Sequence, residues 1–173
     1  RGWMLNLKGY RLDDAIEHIR DHYLADKITY QTLIDEFIDQ ETSNQPEAPG
    51  ASATLEKFSN SAEIIILTNV PDRAYLDRIK NLSNLNMAYP TICNIGLKGP
   101  ALFEITKLAR NTCIFIDDNP FQIASAAQHT PNIYRFHFSA CKLVQKTMPY
   151  AEGATHRPSS WFEVEKLVTE LLV

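Results

Sequence analysis

The stretch that most constrains this chain is Thr112-Cys113-Ile114-Phe115-Ile116-Asp117-Asp118-Asn119-Pro120. Its first five residues carry no charge and are rich in β-branched and aromatic side chains, as in a strand buried on both faces of a parallel sheet. The run stops at two adjacent carboxylates. Asn119 is placed to cap a helix whose first position, Pro120, needs no main-chain donor. Strand, acidic pair and helix start together set two negative charges at the carboxyl end of a central strand, where open α/β sheets keep their ligands. The plainer reading of the pair is a solvated turn with one aspartate as a cap.

The remaining sequence supports an α/β chain. A length of 173 residues suffices for one full core and a small insertion. The net charge of −4, with no cluster of Lys or Arg, gives a nucleic-acid backbone nothing to bind. No apolar stretch reaches the length of a membrane span, and no secretory pattern is visible. Cys93, Cys113 and Cys141 form no CxxC pair, which fits a reducing cytoplasm. Nothing in the sequence specifies an oligomeric state.

Leu12, Ala15, Ile16, Ile19 and Tyr23 follow helical spacing and predict a helix over 12–23. His18 and His22, four apart on it, would make a metal pair, or more simply a wet flank beside Asp14, Arg20 and Asp21. Residues 30–38 predict a second helix with Thr29 as its cap. The segment 41–52, ETSNQPEAPGAS, marks a boundary. Beyond it, strands and helices alternate. Strands are expected near 64–68, 91–95, 113–117 and 133–138, with helices at 53–58, 71–82, 100–109 and 120–128. Residues 139–158 read as irregular. A capping box, Ser160-Trp161-Phe162-Glu163, then opens a last helix. The expectation is a Rossmann-like three-layer α/β fold with one parallel sheet. A small helical cap insertion would occupy residues 1–45, and the α/β core 46–173.

Thr68-Asn69, Lys98 and Asp117-Asp118 all fall at strand ends or just before helices. Taken singly they are caps, a loop lysine and a turn. Taken together they suit a phosphate: a hydroxyl and helix-start N–H groups for its oxygens, an ammonium for their charge, and two carboxylates for Mg2+.

Three of these runs, IIILTN at 64–69, GLKGPALFEI at 96–105 and CIFIDDNPFQIASA at 113–126, resemble the second, third and fourth motifs of the haloacid dehalogenase-like (HAD) hydrolases. The likeness spans roughly residues 49–138, with a weaker one to the deoxyribonucleotidase-like branch. It implies a Mg2+-dependent phosphatase acting on a small phosphorylated metabolite or nucleotide. Thr68 would be the phosphate-binding hydroxyl, Lys98 the motif III lysine, and Asp117 and Asp118 the metal ligands. The family's first motif, a DxD whose first aspartate attacks phosphorus, does not occur before Thr68. In the family its strand lies between those ending at Thr68 and Asp118. The expectation is that this strand precedes Arg1, so that the chain as given lacks the nucleophile. Alternatively, residues 4–10 are a degenerate copy with Asn6 and Lys8 in the acidic positions, and the protein is an inactive binding module.

Overall fold

The computed structural model describes residues 2–172. The chain opens with β1 (Trp3–Leu5) and β2 (Ile16–His18), paired antiparallel with Leu5 opposite Ile16. The helix expected over 12–23 is therefore a hairpin. Ala15 and Glu17 are both buried, an alternation of two, whereas Leu12, Ile19 and Tyr23 are largely exposed. Helical spacing was a coincidence there, because the inward residue that decides the period is a glutamate. Glu17 accepts hydrogen bonds from Asn6 Nδ2 at 2.9 Å and Lys8 Nζ at 2.6 Å. These partners hold its carboxyl below the usual glutamate range. Stability from this group is present above its unfolded pKa and is lost as pH falls through the lower folded value. Neutralising it with Glu17→Gln is expected to flatten that acid limb, measured by urea denaturation between about pH 3 and 6.

His18 stacks on Tyr23 and contacts Asp21, while His22 occupies a left-handed turn with φ 54°. Among the described residues no three metal-ligating side chains gather.

Helix α1 (Lys27–Glu41) starts three residues before the sequence suggests. Asp26, not Thr29, caps it, its carboxylate accepting the Thr29 N–H at 2.7 Å. Arg73 reaches α1 from the turn before Tyr75, donating to Asp35 at 2.6 Å and Asp39 at 2.8 Å. These groups are half exposed, so the bridge orients α1 more than it stabilises it.

Strand and helix then alternate as expected: α2 (Ala51–Ser59), β3 (Ile66–Thr68), α3 (Tyr75–Asn84), β4 (Thr91–Cys93), α4 (Gly99–Thr106), β5 (Ile114–Asp117), α5 (Pro120–His129) and β6 (Tyr134–His137). A short helix, α6 (Lys142–Thr147), interrupts the stretch read as irregular, and α7 (Trp161–Leu171) closes the fold. Ser160 Oγ accepts the Glu163 N–H, but Glu163 reaches back to Ser159 rather than Ser160.

The layers follow from which side chains the strands send to each face. Phe115 packs with Leu102, Ile123 and Ala126 of α4 and α5, and Leu67 of β3 joins that cluster. On the other face Ile114, Ile116 and Phe136 pack with Phe58 of α2 and with Val164 and Val168 of α7. Ile66 packs with Leu55 of α2 and Leu82 of α3. The α/β class with parallel strands between two helical layers is as read from the sequence.

One expectation is corrected. The strands do not form a single sheet: β3 pairs in parallel with β4, β5 pairs in parallel with β6, and β3 and β5 do not pair. Nor do residues 2–6 lie between them, since β1 pairs with β2 and Asn6 and Lys8 turn onto Glu17. The apolar β3 is accordingly only half buried.

Helices α4 and α5 meet at Gly99, whose N–H donates to Ser125 Oγ at 3.1 Å. A Cβ there would collide with the Ser125 carbonyl oxygen and hydroxyl and with His129 Nδ1. The main-chain oxygen cannot yield, so Gly99→Ala is expected to lower stability by about 2 kcal/mol in urea denaturation.

Candidate phosphate and metal site

Asp117 ends β5, and the chain turns at once. Its Oδ1 accepts the Asn119 N–H at 2.8 Å, and Asn119 in turn caps α5 by accepting the Phe121 N–H at 2.9 Å. The strand ends at this tight turn with Asp117 buried and Asp118 exposed. Lys98, immediately before α4, lays its ammonium 2.6 Å from Asp117 Oδ2. The pair is enclosed, with side chains 14% and 6% exposed. Gln122 of α5 fixes the lysine's main chain: its Oε1 accepts the Lys98 N–H at 2.7 Å and its Nε2 donates to the Gly96 carbonyl at 3.1 Å.

Thr68 and Asn69 come from the end of β3. They do not touch the acidic pair but are joined to it through the loop after β4. Asn69 Nδ2 donates to Gly96 O at 2.7 Å, and its Oδ1 accepts from Asn94 Nδ2 at 3.0 Å. The Asn69 side chain is thus committed to the loop, leaving its main-chain N–H for any ligand. The Thr68 hydroxyl has no hydrogen-bond partner among the described residues. Lys98, Asp117 and Asp118 therefore converge directly, with Thr68 and Asn69 set on the same edge by a relay of amides.

Two further residues, unmarked in the sequence, meet Asp118. The Tyr10 hydroxyl donates to its carbonyl oxygen at 3.2 Å, and His137 Nε2, taken as the protonated nitrogen, lies 3.1 Å from the same oxygen. Tyr10 lies 108 positions away in sequence, so no local pattern could announce it. His137 is 1% exposed and its Nδ1 is unpartnered. Burial lowers its pKa. Burial, then the Asp118 and Asp117 charges, raise the Tyr10 phenol far above its ordinary value.

Electrostatically, two carboxylates face one ammonium. Loss of water on its protein-facing side, followed by the Asp117 charge, pushes the Asp118 carboxyl above the usual aspartate range. The same excess of negative charge fits a hard divalent cation. Mg2+ takes one or two carboxylates and fills its remaining positions with water and phosphate oxygens, so Asp117 and Asp118 are the residues that could hold it.

No family model and no curated protein matches the chain. Solved structures do. A protein from Burkholderia xenovorans assigned to the haloacid dehalogenase-like hydrolases superposes with a TM-score of 0.62 at 13% identity, over 82% of this chain and 67% of that one. A dehalogenase solved with an intermediate complex gives 0.57 at 19% identity, over 86% and 66%. The chain spans about two thirds of the length of each. It has the fold of the haloacid dehalogenase-like hydrolases.

Proposed function

We propose that the chain carries the cation and phosphate site of a Mg2+-dependent phosphohydrolase of HAD type, acting on a small phosphorylated metabolite or nucleotide, without the attacking aspartate among its described residues. The observation that carries this reading is the enclosed Lys98–Asp117 contact beside Asp118, whose carboxylate has no ion-pair partner among the described residues, at the carboxyl end of the parallel strands. Asp117 and Asp118 would hold the cation, which when bound neutralises phosphoryl charge. Lys98 would steady the phosphoryl oxygens from the other side, and the Thr68 hydroxyl and Asn69 N–H would donate to them. Residues 1–45 would cap the mouth, a placement supported by the reach of Tyr10 to Asp118.

Attack on phosphorus needs an oxygen nucleophile. No third carboxylate joins Asp117 and Asp118 among the described residues. The reading therefore separates binding from turnover: the 173-residue chain binds phosphate in the presence of Mg2+ but does not hydrolyse its esters. The test is p-nitrophenyl phosphate hydrolysis with Mg2+, run beside phosphate binding, for the chain and for Asp118→Ala. Expected are no turnover in either and Mg2+-dependent binding lost in the variant. Turnover lost in Asp118→Ala would place the nucleophile within the chain after all. Absence of both binding and turnover would favour an inactive module.

The raised Asp118 pKa adds a pH signature. A proton competes with the cation for this carboxylate, and it holds on to higher pH than at an ordinary aspartate. Mg2+ affinity should therefore fall on acidification before an exposed aspartate would titrate. Calorimetric titrations between about pH 4.5 and 7.5 check this.

A further inference from the structure

The loop that supplies Lys98 and the turn that supplies Asp118 are tied into one unit. Gly96 O accepts from Asn69 Nδ2 and Gln122 Nε2, and Gln122 Oε1 accepts the Lys98 N–H. Large apolar side chains stand in water on that unit: Ile95 is 87% exposed, Leu97 54% and Phe121 67%. Ile95 and Leu97 flank Gly96, and Phe121 lies in the first turn of α5, two residues past Asn119. Apolar side chains exposed singly are ordinary on a protein surface. Grouped on one short rim beside an enclosed ion pair, they form a patch suited to a ligand. The Tyr10 ring joins them, brought there by the bond from its hydroxyl to the Asp118 carbonyl.

The polar side chains of this rim are already engaged. Asn69, Asn94 and Gln122 bond to one another or to the loop's main chain, and Asn119 caps α5. Residues 94–97 and 119–122 carry no charge. Among the described residues, Lys98 is the cation paired with Asp117. Lys8 is held by Glu17, Arg11 by Asp13, and Arg73 by Asp35 and Asp39. Arg157 follows the segment that covers the far side of β6, and its guanidinium lies over the Tyr150 ring, 5.2 Å from the centroid. A phosphoryl group between Lys98 and Asp118 would therefore have apolar surface beside it, with neither a cation for a second anion nor free amides for sugar hydroxyls.

We propose that the substrate of this site is a phosphate monoester of an apolar alcohol, aryl or alkyl, with no second charged group. Its phosphoryl end would sit between Lys98 and Asp118. Its apolar end would lie on Ile95, Leu97 and Phe121, where removal of both surfaces from water supplies affinity. The inference rests on the phosphate-site reading above and narrows its substrate away from nucleotides and sugar phosphates.

The test is calorimetric titration of the full chain, in Mg2+, with inorganic phosphate, phenyl phosphate, ribose 5-phosphate and fructose 1,6-bisphosphate. Affinity is the readout, since no turnover is expected of this chain. Phenyl phosphate should bind at least about tenfold more tightly than ribose 5-phosphate, and the bisphosphate no more tightly than ribose 5-phosphate. With Leu97→Ser and Phe121→Ser combined, the ratio of phenyl to ribose ester affinity should fall to about one. Three results overturn the proposal and leave the phosphate site standing: equal binding of the two monoesters, tighter binding of the bisphosphate, or a ratio unchanged by the two substitutions. Absence of inorganic phosphate binding in Mg2+ overturns the phosphate-site reading and this one together.

Discussion

Replacing Lys98 with methionine is expected to lower stability by about 3 kcal/mol and to move the affinities for Mg2+ and phosphate in opposite directions. Asp117 is enclosed, and Lys98 is its cationic partner at 2.6 Å. Methionine keeps most of the volume but leaves a buried carboxylate answered mainly by the Asn119 N–H. With the ammonium gone, the acidic pair attracts a cation more strongly and repels an anion, each by about tenfold after allowance for solvent screening. Urea denaturation gives the first quantity and titration with each ligand the other two. A parallel loss of both affinities would mean that the lysine acts only as a structural pin.

A similar loss of stability, about 3 kcal/mol, is expected for Arg135→Met, with no change in Mg2+ affinity. Arg135 is 8% exposed in the middle of β6 and pairs with no carboxylate among the described residues. Its guanidinium donates instead to main-chain carbonyls: Nε to Gly153 at 2.7 Å, and Nη1 to Thr130, Pro131 and Ile133 at 3.1, 3.0 and 2.5 Å. It thereby fastens the loop carrying Ala151, which is fully buried against the Leu102–Ile123 cluster, to the turn before β6. Methionine fills the space but supplies no donor, so the four carbonyls lose the guanidinium. A Tm unchanged by the substitution would show that water serves them equally well.

The elements that were legible are those whose stop signals are local. Asn119-Pro120 starts α5 and Ser160 caps α7, each through one side chain and one nearby N–H. The position of the acidic pair was legible because a charge-free β-branched run ending at carboxylates and Asn-Pro marks a strand giving way to a helix, and that of Lys98 because it directly precedes a helix start. Three features escaped for physical reasons. Residues 12–23 form a hairpin because Glu17 is buried, and its stability there depends on Asn6 and Lys8, which no hydropathy pattern connects to it. Tyr10 and His137 reach Asp118 across the fold, so only assembled coordinates bring them together. The single sheet expected from four apolar strands is divided because strand character is local whereas strand adjacency is not: β3 and β5 each found one neighbour, and no third strand among the described residues joins them.

The most direct measurement of the central claim, that the carboxylates at 117 and 118 form a cation site able to hold phosphate beside Lys98, is a calorimetric titration of inorganic phosphate with and without Mg2+. The expected result is binding that requires Mg2+ in the chain and is absent in Asp118→Ala, whose Tm stays close to that of the parent because Asp118 is exposed. Phosphate binding that is equal without Mg2+, or that survives Asp118→Ala, would contradict it.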